Sequence, residues 1–468
     1  LLFLTILLEG YVVLASELLA IRTLIPFVGS GTEVVAIVIS AVLLPLAAGY
    51  HVGGQRFQKA QAARNGKVVS IRKLLLKNLL SAMLPLSLGF SYVVQELFFA
   101  LLVGIGISHH IPQTAVFCLV FLVYPVFLLA QTIPLLSNYF SRRHLSEITG
   151  RMLFFSTLGS FAGSVFSTIV LMMWIGVHYT LVFTMALLAA LVLMLTRRWH
   201  DFDNVIALFV LGVVYLLNNQ ALLRDMDIVA NNQYSIVRIY EDAAHERRIM
   251  DINRSTSSAY AKNPENRFKY LQFIEKNVVN PAIASDSPKK FLILGAGGFT
   301  LGVDDDLNDY TFVDIDASLK KTAETHLLPT ALGANKKFVP MSARVFLVRD
   351  TEKYDFIMID LYTHQLSIPM EATTVEFLQA VKRHLKPGAV VIANVIGSPD
   401  FSDLFTVRYN NTFRSVFPHF TLQVTGALKP WGAPEPVHNM LYVYHHRPEF
   451  MGDAGVYTDD LNSYSLDR

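Results

Sequence analysis

The sequence predicts an α-helical transmembrane bundle followed by an α/β domain with a parallel sheet, entered through a small β-hairpin subdomain. Three observations carry this. Apolar residues concentrate before about residue 218 and charged residues after it, in a chain with a mean hydropathy of +0.41 and only 16% charged residues. That balance is too apolar for a water-soluble enzyme and too varied for a simple membrane bundle, so two unlike parts are joined. Runs of roughly 20 apolar residues recur in the first part, each enough for a hydrocarbon core of about 30 Å. In the second part short apolar strands alternate with helical stretches, the pattern of a parallel sheet covered by helices on both faces.

The spans fall at about 1–25, 33–50, 79–107, 112–136, 152–174 and 178–195. Arg56, Lys59, Arg64, Lys67, Arg72, Lys73 and Lys77 crowd one connection, Arg142 and Arg143 another, and Arg197 and Arg198 a third. By the positive-inside rule these loops face the cytoplasm. The apolar run Val205 to Leu217 is shorter than a full span, so a re-entrant, interfacial or core helix competes with a crossing, and the outcome sets the side on which the α/β part lies. Glu17 and Glu96 sit in otherwise apolar helices, where an ionisable group serves a helix-bundle hydrogen bond, stays a neutral acid, or marks a transport or ligand role. Gly10, Tyr11 and Glu17 recur at the same spacing as Gly89, Phe90 and Glu96, as a duplicated helix pair would leave them. Gly159, Ser160, Gly163 and Ser164 mark close helix packing.

A net charge of +2 gives no global pull toward nucleic acid. Cys118 is the single cysteine, which excludes an internal disulfide framework and a cysteine-based metal cluster and leaves packing as its role. The pairs His109–His110 and His445–His446 lack a third ligand at a useful spacing, so no metal is expected. Neither a phosphate-binding P-loop nor a nucleophile-elbow serine is present, and no cleavable signal peptide is read.

From 219 the pattern changes. The linker, small β-subdomain and first helix occupy 219–285 and the nucleoside-binding domain 286–468, after a polytopic domain at 1–218. Gln233–Tyr240 and Arg248–Asn253 alternate as the two strands of a hairpin, and Phe268–Val279 is a helix. Strands follow at Phe291–Leu294, Tyr310–Asp314, Lys337–Val339, Tyr354–Asp360 and Gly388–Val395, with a helix at Thr374–Leu385 and a late, antiparallel strand at Leu441–Tyr444 on the far side of the sheet.

The chemistry gathers at the strand ends. The first strand of the main sheet runs into the glycine turn Gly295, Gly297, Gly298, and the second ends in Asp314 and Asp316. Glycines let the backbone turn sharply and approach a ligand, and a carboxylate about 20 residues on accepts ribose hydroxyls. Asp314 suits that role; Asp316 suits capping of the segment from Ala317. Ser342 and Ala343 follow the third strand, where a side chain meets an adenine edge. Asp360 closes the fourth strand behind Phe356, Ile357, Met358 and Ile359, a carboxylate delivered by a buried strand to a crevice.

FLILGAGGFTLG, TFVDID, SARVFL, KYDFIMIDLY, HLKPGAVVIANV and FRSVFPHF, in this order, resemble the spermidine synthase (aminopropyltransferase) family over roughly 230–446. The apolar half is similar to the segment ahead of such domains in bacterial membrane-integrated spermidine synthase-like proteins. The resemblance implies a Rossmann-like sheet of the methyltransferase and spermidine synthase type. It implies S-adenosylmethionine or its decarboxylated form as the adenosine ligand, an amine or water as acceptor, and methylthioadenosine as product. It places Gly295 and Gly297 along the nucleoside, Asp314 at the ribose, Ala343 at the adenine, Asp360 at the reacting centre, and Tyr234 and Tyr270 in the substrate groove, with Ala296, Ile315, Ser342 and Tyr362 as further cofactor-binding positions. It further implies a multi-pass protein of the bacterial inner membrane with the lipid bilayer as partner, and a homodimer as in soluble relatives. A nucleoside ligand made in the cytoplasm favours the reading in which 205–217 lies in the interface and the α/β domain stays on the cytoplasmic side, whereas a crossing would put that domain outside.

Departures from the family pattern matter as much. Gly298 stands where the glycine turn normally carries an acid, Ser342 where an aspartate meets the adenine, and Asp360, Leu361, Tyr362, Thr363 where the family has D-S-S-D. Pro264, Glu265, Asn266 and Arg267 replace an acidic stretch before the first long helix. A polyamine is a chain of ammonium groups and needs several carboxylates at matching spacing. The sequence therefore predicts transfer or cleavage of the three-carbon chain of the sulfonium rather than ordinary polyamine synthesis. Methyl transfer on the same sheet is the second reading, and a transporter or sensor regulated by an adenosine ligand the third.

Overall fold

The computed structural model describes residues 1–62, 70–139, 145–196, 198, 200–285, 287–428, 437–444, 456–460, 462 and 464. The side chains of Arg56 and Lys59, and residues Arg64, Lys67, Arg142, Arg143, Arg197, His445 and His446, lie outside the described residues. The chain forms two compact units: Leu1–Val28, Thr32–Met226 and Asn231–Gln233 in the first, and Gly29–Gly31, Asp227–Ala230 and Tyr234–Arg468 in the second.

The first unit is built of apolar helices. Leu2–Val28, Thr32–Gln55, His110–Ser137, Ser146–Trp174, Gly176–Leu195 and Phe202–Asp225 are each long and apolar enough to cross a membrane. The segment expected as one span at 79–107 is instead two helices, Ile71–Gly89 and Tyr92–Gly104, bent by 73°. Its break falls at Phe90 between Gly89 and Ser91, small residues of the kind found at helix kinks, and Ser91 Oγ donates to Ser87 O at 2.7 Å across it. Conversely, the short run at 205–217 is the helix Phe202–Leu217, continued after Asn218 and Asn219 by the short helix Gln220–Asp225, a 24-residue apolar stretch in all. Gly159 and Gly163 lie against the carbonyls of Leu7 and Tyr11, where a Cβ would stand 1.9 and 2.2 Å away, so this small-residue pattern is a helix-packing seam. Cys118 is buried. Glu17 and Glu96 are only half-buried; the fully buried acid of the first helix is Glu9, at 1% exposure.

The second unit carries two sheets. β1 (Ile228–Asn231), β2 (Ile236–Asp242), β3 (Arg247–Ile252) and β4 (Ser255–Ala261) form a four-stranded sheet in that order, twice the expected hairpin. β4 reads Ser-Thr-Ser-Ser-Ala-Tyr-Ala, too polar to signal a strand. Asn253 and Arg254, at φ of 49° and 64°, make the two-residue turn between β3 and β4, a left-handed pair of the kind that matches strand twist.

The main sheet has seven strands. β5 (Lys290–Leu294), β6 (Asp309–Asp314), β7 (Lys336–Pro340), β8 (Tyr354–Ile359), β9 (Leu385–Gly397), β10 (Phe420–Leu428) and β11 (Val437–Tyr444) are ordered β10-β11-β9-β8-β5-β6-β7. β7-β6-β5-β8-β9 are parallel, and β11 pairs antiparallel with both β9 and β10, so it alone runs against the other six. β11 was expected at the far side; it lies one strand in, and β10 is the edge. β5 shows why the sheet is buried on both faces: Phe291 and Ile293 join one apolar layer, Leu292 and Leu294 the other. Each such fully buried side chain contributes about 1.5–3 kcal/mol. That rigid centre holds the carboxyl ends of β5, β6 and β8 side by side.

Candidate active site

Gly295 ends β5 at φ +98°, its N–H donating to Val313 O at 2.9 Å. A Cβ there would stand 2.0 Å from the carbonyl oxygen of Asp360, so only glycine lets the ends of β5 and β8 touch. Asp360 N donates to Leu294 O at 2.8 Å, completing the contact. Gly297, at φ +50°, lies under Ser258 Oγ, and Gly298 N donates to that hydroxyl at 2.8 Å. A Cβ on Gly298 would stand 2.2 Å from Leu327 Cδ2 and 2.9 Å from Ser258 Cβ, so β4 and Leu327 fill the space that an acidic side chain there would need.

Asp314 turns into the same crevice at the end of β6. Its Oδ2 accepts from Ala296 N at 3.1 Å and its Oδ1 from Asp316 N at 3.1 Å, leaving each oxygen an acceptor position for a vicinal diol. Burial pushes its carboxyl up to about 6, against the pull of these backbone donors. Asp316 is buried and committed: Oδ1 accepts from Ser318 N and Oγ, and Oδ2 from Ser235 Oγ. Met341 N donates to Asp314 O at 2.7 Å, which brings Ser342 and the buried Ala343 beside Asp314, and Ile315 next to it is 50% exposed. Ser342 precedes the helix Ala343–Arg349 without capping it through its side chain.

Asp360 follows β8 into the same crevice. Asn394 Nδ2, from β9, donates to its Oδ1 at 3.0 Å, and Tyr270 hydrogen-bonds to the same carboxylate. Burial pushes Asp360 up to about 7, while Asn394 and Tyr270 draw it back. Tyr270 OH also lies 3.3 Å from Ser257 O, so it bridges β4 and the acid. Tyr362 is tied to β9, donating to Asn394 O at 3.3 Å and accepting from Ile396 N at 2.7 Å. Tyr234 is 39% exposed and offers its carbonyl to Asn253 Nδ2 at 3.4 Å. Sequence reasoning missed Asn394, although a polar residue near the end of an apolar strand, in VVIANV, is the available signal.

The small sheet covers the strand ends. Ser235 reaches Asp316 beyond β6, Ser258 the glycine turn beyond β5, and Asn253 Nδ2 the Thr363 carbonyl beyond β8 at 2.9 Å. Arg267 is buried, with Nη1 on Glu275 Oε1 at 2.6 Å, Nη2 on Asp304 and Nε on Ala261 O at 3.3 Å. Its cation thus knits the subdomain together. Among the described residues no group of three or more His, Cys, Asp or Glu side chains is placed to hold a metal. The arrangement can seat a nucleoside by its diol and place a carboxyl that titrates near neutrality beside the group attached to it.

No protein-family model matches the chain. It is 30% identical over 143 residues to a probable polyamine aminopropyl transferase of Bifidobacterium longum, covering 29% of this chain and 30% of that protein. It is 26% identical over 287 residues to a polyamine aminopropyltransferase of Oceanobacillus iheyensis, covering 55% of this chain and 54% of that one. The chain therefore spans about a third to a half of the length of these curated relatives. Among solved structures, a probable spermidine synthase of Corynebacterium glutamicum is 21% identical with a TM-score of 0.38, covering 45% of this chain and 77% of that one. A spermidine synthase of Thermotoga maritima is 16% identical with a TM-score of 0.37, covering 52% and 84%.

Proposed function

We propose that the second unit binds S-adenosylmethionine or its decarboxylated form and transfers or cleaves the three-carbon chain, releasing methylthioadenosine. One observation carries this reading: Asp360, with a carboxyl near 7, stands at the strand-end contact with Gly295, within the crevice that also presents Asp314. As a carboxylate, Asp360 takes a proton from an attacking amine or water. The nucleophile then bonds to the chain carbon next to the sulfonium, the carbon–sulfur bond breaks, and its electron pair neutralises sulfur as methylthioadenosine leaves. The ligand's own carboxylate is an alternative nucleophile that needs no base.

Ordinary polyamine synthesis fits less well. The groups hydrogen-bonded to Asp360 are a phenol and an amide, and Arg267 sits where further acids are expected. A polyammonium chain is poorly matched by such neighbours. The similarity to polyamine aminopropyltransferases supports an enzyme that transfers an aminopropyl-type group. For the first unit we propose a multi-pass anchor in a bacterial inner membrane, with Phe202–Asp225 lying in the interface rather than crossing, so that the second unit stays on the cytoplasmic side where adenosine sulfonium compounds are made.

The test is incubation of the purified full-length protein with S-adenosylmethionine or its decarboxylated form, with and without putrescine or spermidine. Methylthioadenosine is the expected product. Its absence under every condition overturns the proposal, and S-adenosylhomocysteine in its place assigns methyl transfer.

A further inference from the structure

Asn253 occupies the first position of the β3–β4 turn, at φ 49° and 3% exposure. Asparagine is at home in that left-handed conformation, so the turn alone accounts for the residue type. It does not account for what the side chain does. Oδ1 accepts from Ile236 N at 3.0 Å, which fixes the orientation of the amide. Nδ2 then points away from the hairpin and donates to Thr363 O at 2.9 Å, in the loop that follows Asp360, and more weakly to Tyr234 O at 3.4 Å.

That loop has a tight fold of its own. Thr363 N donates to Ser367 O at 2.8 Å and Ser367 N to His364 O at 3.2 Å. Outside it, Gln365 Nε2 donates to Arg254 O at 2.7 Å, the neighbouring residue of the same turn. On the far side Tyr464 OH donates to Leu366 O at 2.9 Å. Asp360 is therefore restrained from both directions: its own N–H is held by Leu294 O on β5, and the chain three residues later is held by Asn253.

We infer that Asn253 is a positioning residue for the reaction at Asp360, its amide fixing the 361–368 loop so that the carboxylate meets Tyr270, Asn394 and the bound sulfonium. This rests on the reading of Asp360 given above. The chemistry needs an acceptor and a donor on one planar group in a left-handed backbone, and asparagine supplies both. Aspartate keeps the conformation and the bond to Ile236 N but turns an oxygen toward the Thr363 and Tyr234 carbonyls. Glycine keeps the conformation alone.

The experiment uses full-length Asn253→Asp and Asn253→Gly proteins, with three readouts: hydrogen exchange at 361–368 without ligand, calorimetric affinity for methylthioadenosine, and turnover of S-adenosylmethionine. In both variants exchange of the loop is expected to quicken and kcat to fall about tenfold, the equivalent of one buried hydrogen bond. Affinity for methylthioadenosine, set by Asp314 and the glycine turn, is expected to stay within about twofold. Unchanged exchange in Asn253→Asp overturns the inference, as does faster exchange with unaltered kcat. Should the wild-type protein neither bind nor turn over these compounds, the functional reading fails, and the exchange measurement still decides whether Asn253 holds the loop.

Discussion

Asn394 donates its side-chain amide to Asp360 Oδ1 at 3.0 Å, joining the ends of β9 and β8 through one hydrogen bond. The bond favours the charged form of Asp360 and so opposes the burial that pushes its carboxyl up. Activity that needs the carboxylate is expected to rise with pH through a midpoint near 7. In Asn394→Ala the opposing donor is gone, and that rising limb is expected to move to higher pH; a pH profile of kcat/KM checks it. Asp360→Asn is expected to lower kcat by about 10²–10⁴-fold, the usual contribution of a positioned base.

The same burial makes Asp360 a cost to the fold. Its folded carboxyl is raised from 3.8 to about 7, so the folded chain holds a proton that the unfolded chain has released between those values. Stability from this group is present at low pH and is lost as pH rises toward 7. Asp360→Asn is expected to raise stability at pH 8 by about 2 kcal/mol, allowing for partial access of water, and to change it little at pH 4. Thermal unfolding of both proteins at the two pH values measures this.

Restoring the family's acid is expected to fail. In Gly298→Asp the new side chain meets Leu327 and Ser258, at a cost of about 1–3 kcal/mol, without creating an amine site. Gly295→Ala is the harsher change, since its Cβ would collide with the Asp360 carbonyl at a φ of +98°. Nucleoside affinity by calorimetry is expected to vanish in Gly295→Ala, and melting temperature to fall in both.

Asp314 is expected to hold the ligand rather than act on it. Asp314→Asn replaces a carboxylate with an amide at the diol and is expected to weaken methylthioadenosine binding about 10-fold or more, the value of a charged hydrogen bond. Titration calorimetry gives the ratio directly.

The proposed membrane orientation is open to a labelling experiment because Cys118, the chain's single cysteine, is buried. Asp400→Cys places a thiol on the exposed segment after β9. With the second unit in the cytoplasm, a membrane-impermeant maleimide is expected to label intact spheroplasts weakly and permeabilised ones fully.

Much of the site was legible before any coordinates. Gly295 and Gly297 follow an apolar strand, and Asp314 and Asp360 each close one, so periodicity and turn chemistry alone brought them to one edge of a sheet. Asn394 and Asn253 were not legible in that way. Asn394 is one polar residue in an apolar strand, and Asn253 reads as an ordinary turn former, because each acts on a partner remote along the chain. Phe420–Leu428 was legible and missed, since Phe420, Leu422 and Val424 alternate with Thr421, Gln423 and Thr425 between Pro418 and Pro430, whereas the four-stranded small sheet was not legible because β4 lacks apolar alternation.

The sequence by itself determined the division into an apolar helical part and a Rossmann-like α/β part, since hydrophobic periodicity and turn residues act locally along the chain. Only the tertiary structure decided which neutral side chains surround Asp360, that Arg267 is held by Glu275 and Asp304, and that β4 and Leu327 close the space beside Gly298. Those outcomes depend on distances between residues far apart in the chain, which packing of the sheet sets and local pattern does not encode.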